Sequence, residues 1–504
     1  MAAQTGGAVA RGVAWMLLAR IADRVGGILA IAISARYLAP NDFGMFQMAL
    51  SIVIIVELFS MLGFEWAMVR HPNPTREHFD TAFTLQLIVS TTASLVVVAL
   101  AWPFAGWYRT PELVQLTLVL AITPLLFGIN NLALVHLRRE MRFETDFWRM
   151  FVPRIASLTA SIVLAIALES YWALVGGVLV ARGMSTLMGY ILHPYRPRLS
   201  LAKWRELMAF SVWMQMNTVI EGMRGRVADL VIGRYLGSHP LAIFNMSNEL
   251  ASLPQAEFVG ALNSAVFPKY ARLQDDVSQL RAAYLDILSL TLLVGLPVAC
   301  GLAFVAPSAV RVLLGPAWAE TAPVIQIIAF GAFANAVAAN TAFVLLTAGR
   351  PNLNTCLSGL TLAALVALLV WMTATHGIKG AATAFTLTAF AALPIHLLVL
   401  RRLIGVRLRD IAPRAWRSLL AAALMCLALW PVVPDVPPHS LPGALYALLM
   451  GMAVGCSVYI AAISALWVAS GRPASTERLL MTTAIDIAVR VDARLLGSRL
   501  ARRT

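Results

Sequence analysis

Charge is scarce in this sequence. Asp, Glu, Lys and Arg make up 13% of its 504 residues, hydrophobic residues 60%, and the mean hydropathy is +0.77. Soluble domains carry about 25% charged residues, so a water-soluble globular chain is excluded. Cysteine is rarer still: Cys300, Cys356, Cys426 and Cys456 all lie in apolar stretches, without metal or disulfide spacing, and read as small packing residues. No GxxxxGK[ST] stretch is present, so no ATP-binding P-loop is expected. The eight histidines are scattered, and no His/Cys/carboxylate cluster has ligand spacing, so neither a metal nor another cofactor is expected. Alternating apolar and polar strands are missing, which excludes a β-barrel. Arg20, Asp23 and Arg24 interrupt what would be the apolar core of a cleavable signal peptide. No polar segment is long enough for a soluble domain, and the short outer loops argue against a membrane-embedded transferase, polymerase or ligase. No catalytic residue is nominated.

What the chain has is apolar stretches of about 20 residues, the length a helix needs to cross a bilayer core of roughly 30 Å. Fourteen spans can be drawn, near 11–38, 42–69, 77–102, 113–137, 147–168, 172–193, 208–236, 241–268, 280–306, 320–348, 353–375, 379–400, 413–433 and 442–470. The net charge of +14 and pI near 10.3 would suit nucleic acid, but the arginines mark one side of the membrane instead. Clusters at Arg138–Arg149, Arg196–Arg205, Lys269–Arg281, Arg401–Arg417 and beyond Arg472 share a side, whereas the opposite loops hold Arg36, Arg109, Arg234, Arg311 and Lys379. Both termini are therefore expected in the cytoplasm, with no nucleic-acid partner. Residues 472–504 mix leucines with arginines and read as a basic amphipathic tail on the anionic inner leaflet, its partners membrane lipids.

One stretch is written twice. WMLLARIADRVGGILAIAISARYLAPNDFGMFQM, from Trp15 to Met48, aligns without gaps to WMQMNTVIEGMRGRVADLVIGRYLGSHPLAIFNM, from Trp213 to Met246. Trp15/Trp213, Gly27/Gly225, the Arg36-Tyr37-Leu38 and Arg234-Tyr235-Leu236 triplets, and Phe46/Phe244 are identical. An even number of spans separates the copies, so the halves run parallel. The expected architecture is all-α: a six-helix lobe over 1–200, a second over 201–405, two added helices over 406–471, and the tail.

Ionisable groups inside spans cost at least about 2.5–3.5 kcal/mol each on insertion scales, so each needs a reason. Arg20, Asp23 and Arg24 share a face of span 1; Glu221, Arg224 and Arg226 lie at the same depth in span 7. Gln47 in span 2 and Asn245, Asn248 and Glu249 in span 8 add polar groups. One reading makes these interhelical salt bridges. The other gathers them on a substrate path between the halves, with Arg20, Arg24, Arg224 and Arg226 facing an anion and Gln47, Asn245 and Asn248 facing its polar remainder. Asp23, Glu221 and Glu249 are then candidate carriers of a coupling ion. Several prolines, Pro124, Pro153, Pro254, Pro297, Pro323 and Pro394, fall inside spans and can bend them.

ISARYLAPNDFGMFQMAL across spans 1 and 2, and the arginine-rich HLRREMRF turn (His136–Phe143) before span 5, resemble the polysaccharide transporter branch of the multidrug/oligosaccharidyl-lipid/polysaccharide exporter superfamily. The resemblance implies two six-helix bundles around a central cavity that opens alternately to each side. Its implied cargo is an undecaprenyl-pyrophosphate-linked oligosaccharide, flipped across the bacterial inner membrane for exopolysaccharide, capsule or O-antigen assembly. A polysaccharide polymerase and a chain-length regulator are the implied partners. A cation-coupled exporter of small molecules, from the same superfamily, is the alternative.

Overall fold

The computed structural model describes residues 26–60, 68, 74–134, 143–272, 276–433 and 440–472, without the side chains of 143, 208–217, 256 and 258–272. Arg20, Asp23, Arg24, the segment before Phe143 and the basic tail therefore lie outside the described residues. Among the described residues every regular element is helical and no strand occurs. In order these are α1 (Gly26–Tyr37), α2 (Pro40–Ser60), α3 (Arg76–Tyr108), α4 (Leu113–Leu120), α5 (Ile122–Gly128), α6 (Phe143–Leu168), α7 (Trp172–Leu192), α8 (Trp204–Leu236), α9 (Ser238–Arg272), α10 (Val277–Leu313), α11 (Thr321–Thr347), α12 (Pro351–Ile404), α13 (Leu408–Leu429) and α14 (Leu441–Ala469). Nine of the described helices are long and apolar enough to cross a membrane. The chain is a multi-pass membrane protein.

Helices α8 and α9 are not among those nine, although they run for 33 and 35 residues. Length is not what fails: at 1.5 Å per residue each is about 50 Å long. The shortfall is in hydropathy, and it comes from the acids, arginines and asparagines singled out above.

Helix α12 runs 54 residues, enough for two crossings. Its helical dihedrals break at Gly377, whose φ of 62° lies in the left-handed region that a residue without Cβ reaches at little cost. That break falls between the spans read at 353–375 and 379–400.

Two prolines show how a membrane helix satisfies the carbonyl that a missing N–H leaves behind. Pro124 deprives Leu120, where α4 gives way to α5, and the hydroxyl of Thr123 donates to that carbonyl at 2.8 Å. Pro297 in α10 deprives Leu293, and the hydroxyl of Tyr459 from α14 donates to it at 2.7 Å.

The chain forms two compact units. The first takes Met1–Met246, Leu313–Val324 and Ser358–Ala384; the second takes Ser247–Val312, Ile325–Leu357 and Phe385–Thr504. In the first, α2 packs against α3, α4 and α8, and α6 pairs with α7. Trp318 is fully buried, edge-on to Phe43, and donates from Nε1 to the carbonyl of Ala35 at 3.0 Å, pinning the end of α1 to the start of α2. At Gly44 the backbone of Ser238 comes so close that any Cβ would collide with it. In the second unit, Leu280, Tyr284 and Leu288 of α10 form a core with Val344, Leu400 and Val406. Further along α10, Leu296 and Ala299 join Met425, Leu429, Tyr459 and Ile463 from the α13–α14 hairpin. Arg281–Asp410 at 2.7 Å and Arg414–Asp286 at 3.6 Å tie α10 to α13.

Candidate functional site

Helix α8 crosses the first unit against α2 and α3, and small residues let it come close. A Cβ at Gly222 would strike Leu58, and one at Gly233 would meet Tyr108 at 2.6 Å. Along α8 the charges form two pairs at i,i+3 spacing. Arg224 Nη1 lies 3.8 Å from Glu221, and Arg226 Nη1 lies 3.2 Å from Asp229.

The second pair is the better built. Asp229 is 1% exposed, and its other carboxylate oxygen accepts from Asn245 Nδ2 at 2.8 Å. The hydroxyl of Tyr108 donates to its backbone carbonyl at 3.4 Å and lies at the same distance from the hydroxyl of Ser51. Asp229 thus joins α8 to the start of α9, to α3 and, through Tyr108, to α2. Glu221, at the more exposed end, accepts from the hydroxyl of Ser358 on α12.

Another charge pair sits inside the same unit. Glu57 of α2 is 3% exposed and accepts from Arg182 Nη2 of α7 at 3.0 Å. Among the described residues of the first unit, three arginines inside helices, Arg182, Arg224 and Arg226, thus face Glu57, Glu221 and Asp229 in ion pairs.

Of the residues nominated from sequence, Arg226 and Asn245 come together, both through Asp229. Arg224 and Glu221 face each other. Gln47 is half-buried on α2, and its buried side-chain carbonyl has no partner among the described residues. Asn248 accepts weakly from Ser252 at 3.4 Å, one turn along α9 in the second unit, and Glu249 is exposed there. Asp229 and Arg182 were not nominated. The signal for Asp229 was available: it stands three residues after Arg226, and its counterpart in the first repeat is the apolar Ile31. Arg182 has no such local partner, because Glu57 lies on another helix. Among the described residues no group of His, Cys, Asp or Glu is arranged to hold a metal.

The model of one family, described as polysaccharide biosynthesis protein, matches residues 33–323, more than half of the chain. The chain belongs to that family. Among curated relatives of the family member, the succinoglycan biosynthesis transport protein ExoT of Rhizobium meliloti is 26% identical over 64% of this chain. The lipopolysaccharide biosynthesis protein WzxC of Escherichia coli is 24% identical over 63% of it. The chain spans 65% of the length of each of these two relatives. In fold it is similar to the lipid II flippase MurJ in an inward closed conformation, with a TM-score of 0.74 over 90% of this chain and 100% of the other, at 13% identity. The family member thus has the all-α, multi-pass fold that its apolar stretches led one to expect.

Proposed function

We propose that this protein translocates undecaprenyl-pyrophosphate-linked oligosaccharide repeat units across the bacterial inner membrane for surface polysaccharide assembly. In this reading the lobes 1–200 and 201–405 open alternately to the two sides, with both termini in the cytoplasm. The observation that carries it is the pair of arginines, Arg224 and Arg226, inside the membrane-length helix α8 of a polysaccharide biosynthesis family member. Guanidinium groups bind phosphate oxygens through paired N–H donors, and a pyrophosphate is the part of such a cargo that apolar surroundings exclude most strongly.

Each arginine is held by an acid of its own helix, so its charge is retained in the membrane without a substrate. An arriving pyrophosphate would compete with Glu221 for Arg224, with Arg20 and Arg24 as further cations. Gln47, Asn245 and Asn248 would meet the sugars, while the polyprenyl tail stays in lipid. The reading is translocation without chemistry. A polymerase and a chain-length regulator would take the product.

A deletion strain tests this. Lipid-linked single repeat units should accumulate on the inner face and surface polysaccharide should be lost. Accumulation on the outer face would instead mean that polymerisation or ligation is the missing step, and the proposal would fail. A second reading, a cation-coupled exporter of small amphipathic molecules, draws on the buried carboxylate of Asp229. It predicts intact polysaccharide and raised sensitivity to amphipathic cations in the same strain.

A further inference from the structure

Past the last residue of α7 the chain runs extended from His193 and docks on the first turns of α3. The hydroxyl of Tyr195 donates to Asp80 Oδ1 at 2.5 Å, and the N–H of Arg198 donates to the same oxygen at 3.0 Å. The N–H groups of Ser200 and Lys203 donate to the hydroxyls of Thr84 and Thr81 at 2.9 and 3.3 Å. Burial, and then the Asp80 carboxylate, push the Tyr195 phenol above its usual range, so it remains a donor at any physiological pH.

Between this docked segment and α3 lies a pocket of about 490 Å³, walled by Arg76, Phe79, His193, Tyr195 and Arg196. Its depth in the membrane follows from the helices. Arg76 is the first residue of α3 and His193 the first after α7, and both helices are long and apolar enough to span. The pocket therefore sits at headgroup level, where a bilayer presents phosphates.

Its cations are fixed in place before any ligand arrives. Arg196 Nη1 donates to the carbonyls of His193 and Tyr195 at 3.2 and 3.1 Å, and its guanidinium lies 5.5 Å from the Tyr190 ring centre. Arg76 Nη2 donates to the carbonyl of Arg196 at 3.4 Å. The nearby acid, Asp80, accepts from Tyr195 and Arg198 on Oδ1 and pairs through Oδ2 with Arg76 Nε at 3.7 Å, which leaves the Arg76 Nη groups to face the pocket rim. Two prepositioned guanidiniums beside two aromatic rings, in a space much larger than one ion, match a phosphate attached to a small organic group.

We propose that this pocket is a second, surface site of the protein that binds a phosphate group, either the phosphodiester of an anionic phospholipid or a soluble phosphate. The site is separate from the arginines of α8 and does not depend on what they carry.

The test uses the full-length protein in phosphatidylcholine nanodiscs, with thermal shift and native mass spectrometry as readouts. One arm introduces phosphatidylglycerol and the other adds inorganic phosphate. Stabilisation in the first arm alone identifies the lipid as the source, and stabilisation in the second identifies a soluble anion. In the arm that responds, Arg76→Gln with Arg196→Gln should weaken apparent affinity roughly tenfold or more, as expected when charge-assisted hydrogen bonds are lost. Arg196 also braces the docked segment, so the single variant Arg76→Gln is measured beside it. That side chain is 57% exposed and its loss leaves the Arg196 brace in place, so weaker binding should appear without a folding defect. Arg401→Gln with Arg402→Gln, on the exposed end of α12, should leave binding unchanged. The proposal is overturned if Arg76→Gln binds like the wild type, if the α12 variant loses as much, or if neither arm stabilises the protein.

Discussion

Tyr459 donates its hydroxyl to the carbonyl of Leu293 at 2.7 Å, and Leu293 is the residue that Pro297 deprives of a helical donor. An aromatic side chain of α14 thus completes the backbone of α10 across the helix interface. Removing the donor by Tyr459→Phe leaves a buried carbonyl unsatisfied, which costs about 1–3 kcal/mol. The same substitution made on Pro297→Ala should cost clearly less, because the alanine N–H then supplies the helical bond. Thermal unfolding of the four members of this cycle in one detergent checks it. Equal costs in both backgrounds would show that the hydroxyl stabilises the protein in some other way.

The pair between Arg226 and Asp229 predicts an asymmetry. Asp229 is 1% exposed, whereas the Arg226 side chain is 29% exposed. Arg226→Leu strands a fully buried carboxylate and should cost about 3–5 kcal/mol. Asp229→Leu leaves a longer, partly exposed guanidinium that can move its charge to a more polar level, and should cost less. The double substitution should recover most of the larger loss. Melting temperatures read this directly, and an equal loss from the two single substitutions would contradict it.

The spans were legible because apolar length is a local property of sequence, and even the break at Gly377 showed as a gap between two runs. The polar helices α8 and α9 were legible too, since charge in an apolar stretch stands out. What sequence could not give was the partner across helices. Glu57 and Arg182 lie on α2 and α7, and nothing in their spacing joins them. Asn245 stood out as one of several polar residues on α9, but its bond to Asp229 depends on how α9 starts beside α8. Matched repeat positions mislead in the same way, because each copy meets different neighbours.

Gly27 and Gly225 show this divergence and make it measurable. They are equivalent in the two repeats, yet a Cβ on Gly27 would lie 2.7 Å from Arg154 Nη2, while one on Gly225 meets none of the described residues within 4 Å. Gly225→Ala should stabilise α8 by up to about 1 kcal/mol through helix propensity. Gly27→Ala should offset that gain or reverse it by displacing the Arg154 side chain. Thermal unfolding of both variants decides the matter: similar stabilisation in each would mean that Arg154 gives way freely.

Arg224 separates a structural role from a substrate role. Its carboxylate partner, Glu221, is the more exposed of the pair, at 43% against 26%, so the pair is a weak contributor to stability. If Arg224 serves only to neutralise Glu221, then Glu221→Gln and Arg224→Gln should disturb transport alike, and slightly. If Arg224 receives the pyrophosphate, the two substitutions split: Arg224→Gln lowers surface polysaccharide and Glu221→Gln does not, and reversing the charge at Arg224 widens the gap. Glu221→Gln removes the competing acid and should leave surface polysaccharide at or near the wild-type level. Arg224→Glu places an anion where the cargo carries its own, and should lower polysaccharide at least tenfold at equal protein abundance, since a like-charge contact costs more than about 1.4 kcal/mol. Complementation of the deletion strain, with membrane levels of each variant measured in parallel, reads the difference. Full polysaccharide from Arg224→Glu at normal abundance would remove this arginine from the path.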